Sequence, residues 1–217
     1  MDLSFLRRET TIGLNKIYLG LKRFKFYPRY YVAVNPVVIE QSVEQIKSLN
    51  AVKFLSRVAA KHHFTEDALT YLVPTHAFKL DSNGERHSVF CDDIATQGMY
   101  EGWTVTFAAL QIAYFLGFSE VVIIGLDHRF DFEGDPNDRQ VLQGEDKNHF
   151  DPNYFGGGQS WDTPDLRNSE SSYRVARDFF EANGRKIVDA TVDGACHVFQ
   201  KVDYRETFSL MQPGKFK

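Results

Sequence analysis

The chain has 217 residues, 43% apolar and 25% charged, which is the make-up of one ordinary globular domain with a sizeable core. A net charge of −4 excludes a surface that attracts a nucleic-acid backbone as a whole. The two cysteines, Cys91 and Cys196, have no paired spacing, so neither a zinc motif nor a disulfide framework is implied and a reducing cytosol fits.

The first eight residues lack the apolar core of a signal peptide, and no run is long enough to cross a bilayer. Asp2 to Arg8 reads as one short helical turn. Thr10 to Leu14 is β-like and ends at Asn15, and a mixed aromatic and basic segment follows to Tyr27. The basic run 7–25 holds Arg7, Arg8, Lys16, Lys22, Arg23 and Lys25. It reads as a solvated helix face, or as a surface for a phosphate-bearing ligand or an anionic membrane. Arg29 to Val34 predicts a strand that stops at Asn35-Pro36, and Val37 to Leu49 has helical spacing. Short strands are predicted at Val52 to Leu55 and Leu69 to Val73. The turn chemistry of Asp81-Ser82-Asn83-Gly84 predicts a hairpin over Ala77 to Val89.

Thr104 to Leu116 is apolar nearly all round and predicts a buried helix, capped by Thr104 and ended in a left-handed turn at Gly117. Val121 to Ile124 shows no alternation and predicts a central parallel strand. Asp131 to Asp165 is polar, Gly-rich and broken by prolines, the pattern of a functional lid or loop. A helix over Ser169 to Asn183 and a last core strand over Lys186 to Thr191 follow. Strands alternating with helices give a single α/β domain over 1–217, with a mainly parallel sheet and a lid insertion at about 131–165. Neither a G-x-G-x-x-G fingerprint nor a P-loop is present.

In such sheets ligands sit outside the carboxyl ends of the strands, which directs attention to the polar residues there. His149, among Asp146, Asn148 and Asp151, is either a hydrogen-bonded loop histidine or a proton acceptor for a hydroxyl nucleophile. Asp127 can bind a ribose, a metal or a backbone amide, or simply make a turn. Arg129 can pair with a phosphate or lie exposed. Asn15 and Asn35 each end a β-like segment and offer a donor and an acceptor to a base or sugar edge, or form turns. Gly102-Trp103-Thr104 opens the buried helix, where free amides favour anions, or where Thr104 is a plain cap. Gly156-Gly157-Gly158 is a hinge or a flexible turn. Tyr154, Phe155 and Trp161 can stack on a sugar or base, or pack the lid.

Taken in order, Thr11-Ile12-Gly13-Leu14-Asn15, Val34-Asn35-Pro36, Gly102-Trp103-Thr104-Val105, Leu116-Gly117-Phe118, Ile124-Gly125-Leu126-Asp127 and Asn148-His149-Phe150 form a set. The set resembles bacterial CMP-sialic-acid-dependent sialyltransferases and related polysaccharide-biosynthesis proteins. It is also similar to the broader Rossmann-like family that includes archaeal 6-hydroxymethylpterin diphosphokinases. The resemblance implies a Rossmann-like fold with helices on both faces and sugar transfer from a CMP-activated donor to a glycan acceptor. That transfer would need neither metal nor cofactor. It implies Asn15 and Asn35 in the nucleotide pocket, Gly102 to Val105 on the donor, and His149 as general base. Those enzymes carry tyrosines near the leaving phosphate after the strand-end Asp. Here the chain reads His128-Arg129-Phe130, so His128 or Arg129 takes that role. Relatives begin with a strand and a Gly-Asn-Gly-Pro-Ser-like loop directly before a segment like Asp2-Leu3-Ser4, and the resemblance implies that this piece is missing.

Two other readings stand beside transfer. A pterin-type diphosphokinase would use ATP and a divalent metal held by Asp127, Asp131 and Asp146. A non-catalytic assembly module would pair an exposed sheet edge near Thr11 to Leu14 with another chain, giving a homo-oligomer. Location is expected to be cytoplasmic, with peripheral contact at the inner membrane through the basic run.

Overall fold

The computed structural model describes residues 3–209. The first part of the expected turn at Asp2 to Arg8 and the tail beyond 209 lie outside the described residues. After a 3-10 turn at Ser4–Arg8 come strand β1 (Ile12–Leu14) and the single-turn helix α1 (Leu21–Phe24). Next are β2 (Tyr30–Ala33), α2 (Pro36–Gln41), α3 (Val43–Ser48), β3 (Val52–Ser56), α4 (Arg57–Ala60) and β4 (Thr70–Val73). Strands β1 to β4 make one parallel sheet in sequential order.

Side chains alternate across a strand. Tyr31, Ala33, Leu55 and Leu72 accordingly join Ile39, Ile46 and Ala60 in a core on one face. Val32, Phe54 and Val73 face the other way. Asn35 fixes the start of α2: its Oδ1 accepts from the Val37 and Val38 amides at 2.8 and 3.2 Å, with Pro36 at the first helical position. The single helix expected over Val37 to Leu49 is broken at Ser42. There the backbone leaves the helical region (φ −129°) and the buried hydroxyl meets Tyr18 Oη at 2.7 Å.

Short pairs follow: β5 (Thr75–His76), the antiparallel hairpin of β6 (Lys79–Leu80) and β7 (Arg86–His87), helix α5 (Ile94–Gln97), and β8 (Met99–Tyr100), which runs parallel to β5. Helix α6 (Val105–Phe115) comes next, and its ends match expectation. Thr104 Oγ1 accepts from the Thr106 amide. Gly117 adopts φ +87°, and bonds from Phe118 N to Ala113 O and from Gly117 N to Tyr114 O close the last turn.

The remaining elements are β9 (Glu120–Ile123), the antiparallel ribbon β10 (Arg139–Leu142) with β11 (Gln159–Asp162), α7 (Leu166–Ala182), β12 (Lys186–Asp189), β13 (Gln200–Lys201) and α8 (Tyr204–Ser209). Strands β13, β12 and β9 form a second parallel sheet in that spatial order. β9 was expected to be central. Among the described residues it pairs with β12 alone, just as β1 pairs with β2 alone. Val121 to Ile124 are only half-buried, so this unbroken apolar run does not mark a strand enclosed on both sides. Val121 and Ile123 pack towards Phe107 and Leu110 of α6, and Ile124 packs on Leu3, Leu6 and Phe24.

Helix α6 covers both sheets. Ala108, Ala109 and Ile112 meet the four-stranded sheet, while Phe107 and Leu110 meet the three-stranded one. Within this apolar surround Gln111 is fully buried and fully bonded. Its Nε2 donates to Tyr100 O (2.7 Å) and Phe107 O (3.2 Å), and its Oε1 accepts from Tyr100 N (3.0 Å) and Cys91 N (3.2 Å). Among the described residues no helix is long and apolar enough to cross a membrane. Gln111→Leu strands buried backbone groups of Cys91 and Tyr100, so urea unfolding should show a loss of about 3 kcal/mol. An unchanged midpoint would contradict this account of Gln111.

Candidate active site

The carboxyl ends of the parallel strands carry Asn15 after β1, Asn35 after β2 and Asp127 after β9. Among the described residues, six non-glycine residues have φ between 46° and 68°: Asn15, Lys25, Trp103, His128, Asn137 and Asp193. The left-handed region is costly for a bulky side chain such as Trp103 or His128, and such strain collects at functional sites.

Between β10 and β11 the chain forms a loop closed on itself. Gly157 N donates to Gly144 O (3.1 Å), Gly158 N to Leu142 O (2.8 Å) and Asp146 N to Pro152 O (2.8 Å). A Cβ at Gly156 would strike the Pro152 and Gly144 carbonyls, so the glycine run closes the loop base tightly. The segment expected as a lid therefore has a two-stranded ribbon and its own small core, with Tyr154, Phe155 and Trp161 packed on Val38 of α2.

This loop presents His149. Its Nδ1 lies 2.8 Å from Asp146 Oδ2. Asp146 is buried, and its two oxygens also accept from the Asn148 amide (2.8 Å) and the Phe155 amide (3.1 Å). A carboxylate accepts, so Nδ1 carries the proton and Nε2 keeps the lone pair. The imidazole stacks on Tyr154 with centroids 4.1 Å apart and planes 9° apart, and Trp161 stands edge-on at 6.2 Å. Burial pushes the His149 pKa below its usual 6.5. Asp146 opposes that shift through charge and hydrogen bond, Lys16 reinforces it, and Asp127 opposes it from further off. The ring is thus neutral at pH 7.

Lys16 departs from the reading of the basic run as a solvated face. The side chain is buried, and its ammonium donates to Tyr154 O (2.7 Å), Gln41 Oε1 (3.2 Å) and Gln159 Oε1. Burial lowers its pKa to about 8 against the pull of Asp146. Lys16 N also donates to Tyr154 Oη at 3.3 Å, which brings the end of β1 against the loop. Asn15, one residue earlier, has its carbonyl bonded by Tyr31 Oη (2.7 Å). Among the described residues its Oδ1 is buried without a partner. The rest of the run, Arg7, Arg8, Lys22, Arg23 and Lys25, is exposed, and Arg23 donates to Phe150 O at 2.8 Å.

Asn15, Asp127, His149 and Tyr154 therefore share one neighbourhood. Asn35 reaches it from the side, where its Nδ2 donates to Asp162 Oδ2 (3.0 Å), one residue beyond Trp161. Gly102, Trp103 and Thr104 stand further along the same edge. Thr104 Oγ1 is 3.2 Å from Tyr173 Oη, and the Tyr173 ring is 6.1 Å from that of His128. His128 pairs with Glu170 at 3.3 Å, against α7. Arg129 is exposed and turned towards Asp193 O (3.4 Å) on the loop after β12. Among the described residues no group of three or more His, Cys, Asp or Glu side chains converges to hold a metal ion. Asp131 is engaged through its backbone with Asn148 instead. Sequence reasoning missed Lys16 as a site residue, and it offered Asp146 as a metal ligand but not as the partner of His149. The available signals were the place of Lys16 directly after a strand-end asparagine, and the three-residue spacing of Asp146 to His149.

No protein-family model matches the chain, and no curated protein sequence matches it either. Among solved structures it is similar to one titled "Structure of MAf glycosyltransferase from Magnetospirillum magneticum AMB-1", with a TM-score of 0.53 and 15% identity. The match covers 94% of this chain, which spans 32% of that protein's length. At that identity the likeness establishes the fold: a Rossmann-like α/β architecture shared with a solved glycosyltransferase.

Proposed function

We propose that the chain is the catalytic, nucleotide-sugar-binding unit of a glycosyltransferase, with His149 as general base. The observation that carries this is the buried His149–Asp146 pair, which leaves Nε2 able to take a proton at the carboxyl ends of parallel strands. In the proposed step the acceptor hydroxyl oxygen bonds to the anomeric carbon. The bond from that carbon to the nucleotide's phosphate oxygen breaks, and the hydroxyl proton moves to Nε2. Asp146 holds the tautomer and steadies the imidazolium that forms. Asn15 stands at the end of β1 beside Tyr154, where the resemblance implies the nucleotide pocket. Arg129, exposed at the rim, suits the departing phosphate. The fold shared with a solved glycosyltransferase supports the reading, and the motif set favours a CMP-linked, sialic-acid-like donor.

A thermal-shift screen with CMP, CDP, UDP and ATP, each with and without magnesium, should give stabilisation by CMP without metal. Magnesium-dependent stabilisation by ATP alone would favour the diphosphokinase reading. His149→Ala should lower kcat by about 10²–10⁴-fold in a transfer assay, with nucleotide stabilisation retained. Full activity in that variant would reject the base. Only neutral His149 can accept the proton, and its pKa lies below 6.5. The rate should stay level down to that pH and fall below it. Lys16→Met removes a nearby cation that depresses this pKa, so the acid limb should move upward. A limb that stays in place would separate Lys16 from His149.

A further inference from the structure

A cavity of about 370 Å³ opens where the β6–β7 hairpin, the start of α6 and the start of α7 meet. Its size falls within the range of small-molecule sites, about 300–1,000 Å³. Its lining includes Glu85, Arg86, Trp103, Asn137, Asp165 and Asn168, a set separate from the His149 cluster.

The lining is built to stay in place. Trp103, held at φ +59°, stacks on Phe78 with centroids 6.2 Å apart and planes 14° apart, and the Arg86 guanidinium lies 4.5 Å from the Phe78 ring. Asp165 Oδ2 accepts from Asn137 Nδ2 (3.3 Å) and Asn168 Nδ2 (2.7 Å), and its Oδ1 accepts from Asn168 N (3.0 Å). These bonds leave each amide an oxygen and a further N–H for a ligand. A largely polar lining of fixed amides and carboxylates with Trp103 at its side matches a pyranose, whose rim of hydroxyls both donates and accepts. The lining also argues against an anion. Its two carboxylates, Glu85 and Asp165, outnumber its one cation, Arg86, and the Asp165 side chain already occupies the amino end of α7.

We propose that this cavity is the acceptor subsite: it holds a unit of a neutral oligosaccharide among Asn137, Asp165 and Asn168, beside Trp103, while the terminal hydroxyl of that chain reaches His149. This rests on the transfer reading given above. Trp161 contacts His149, and Asp165 follows it by four residues, so their Cα atoms are at most about 14 Å apart. The cavity and the His149 cluster thus flank one short segment of chain, as the two ends of an oligosaccharide site would.

Trp103 and Trp161 are the two tryptophans, so Trp161→Phe makes Trp103 the sole indole reporter. Titration of that variant with lactose, N-acetyllactosamine and maltotriose should give a saturable fluorescence change with at least one sugar, at millimolar half-saturation. Adding Asn168→Ala should weaken it about tenfold. Saturation-transfer NMR on Trp103→Ala, in the otherwise native chain, should show the same loss. No response to any of the three up to about 50 mM, while CMP still raises the melting temperature, overturns the subsite and leaves the transfer reading standing. Binding that survives both substitutions also overturns it. Sugar binding lost in both variants, with no response to any nucleotide, supports the subsite and sinks the transfer reading instead.

Discussion

Helix α6 is buried from Phe107 to Ala113, and two sheets lean on it from different sides. A helix in that position cannot keep a polar stripe, which is why its sequence is apolar nearly all round. It also explains why the one polar residue in the buried stretch, Gln111, spends every hydrogen bond it can make on neighbouring backbone. With α6 in place, β1 and β9 come to lie under one helix without pairing to each other, and their carboxyl ends open on a common edge. The fold's contribution to chemistry is that edge.

Along the edge, function is divided by loops. The glycine-closed loop brings His149 to Asp146 and Tyr154, and the end of β1 brings Asn15 and Lys16 against it. The starts of α6 and α7 bring Trp103 and Asp165 to the neighbouring cavity. Backbone strain marks the same places, with Asn15, Trp103, His128 and Asn137 all in the left-handed region. Surrounding contacts must over-determine such positions for them to persist. Here those contacts include the Tyr31 bond to the Asn15 carbonyl and the packing of Phe78 on Trp103.

Much of this was legible in the chain because local chemistry decides it. Gly117 ends α6, Asn35-Pro36 starts α2 and Asp81 to Gly84 turns the hairpin, each through bonds within a few residues. What was not legible depends on distant partners. Ser42 breaks a helix by periodicity alone continuous, because Tyr18 bonds its hydroxyl. β9 reads as central because its run is apolar throughout, yet Val121 to Ile124 stay half-buried against α6, Leu3 and Leu6. Lys16 reads as solvated because its acceptors, Gln41, Tyr154 and Gln159, come from segments far along the chain. His149 was singled out from its polar loop. Its neutral state is set by burial that only the packed ribbon supplies.

The bond from Arg23 to the Phe150 carbonyl ties the exposed basic segment to the residue beside His149, and Lys16 grips Tyr154 on the other side of the same loop. Residues 16–23 thus form a clamp with two jaws, and the imidazole rides between them. Whatever engages the outer jaw, Arg23 with its neighbours Lys22 and Lys25, also touches the loop that seats His149. Charge on that face and the seating of the imidazole share one anchorage.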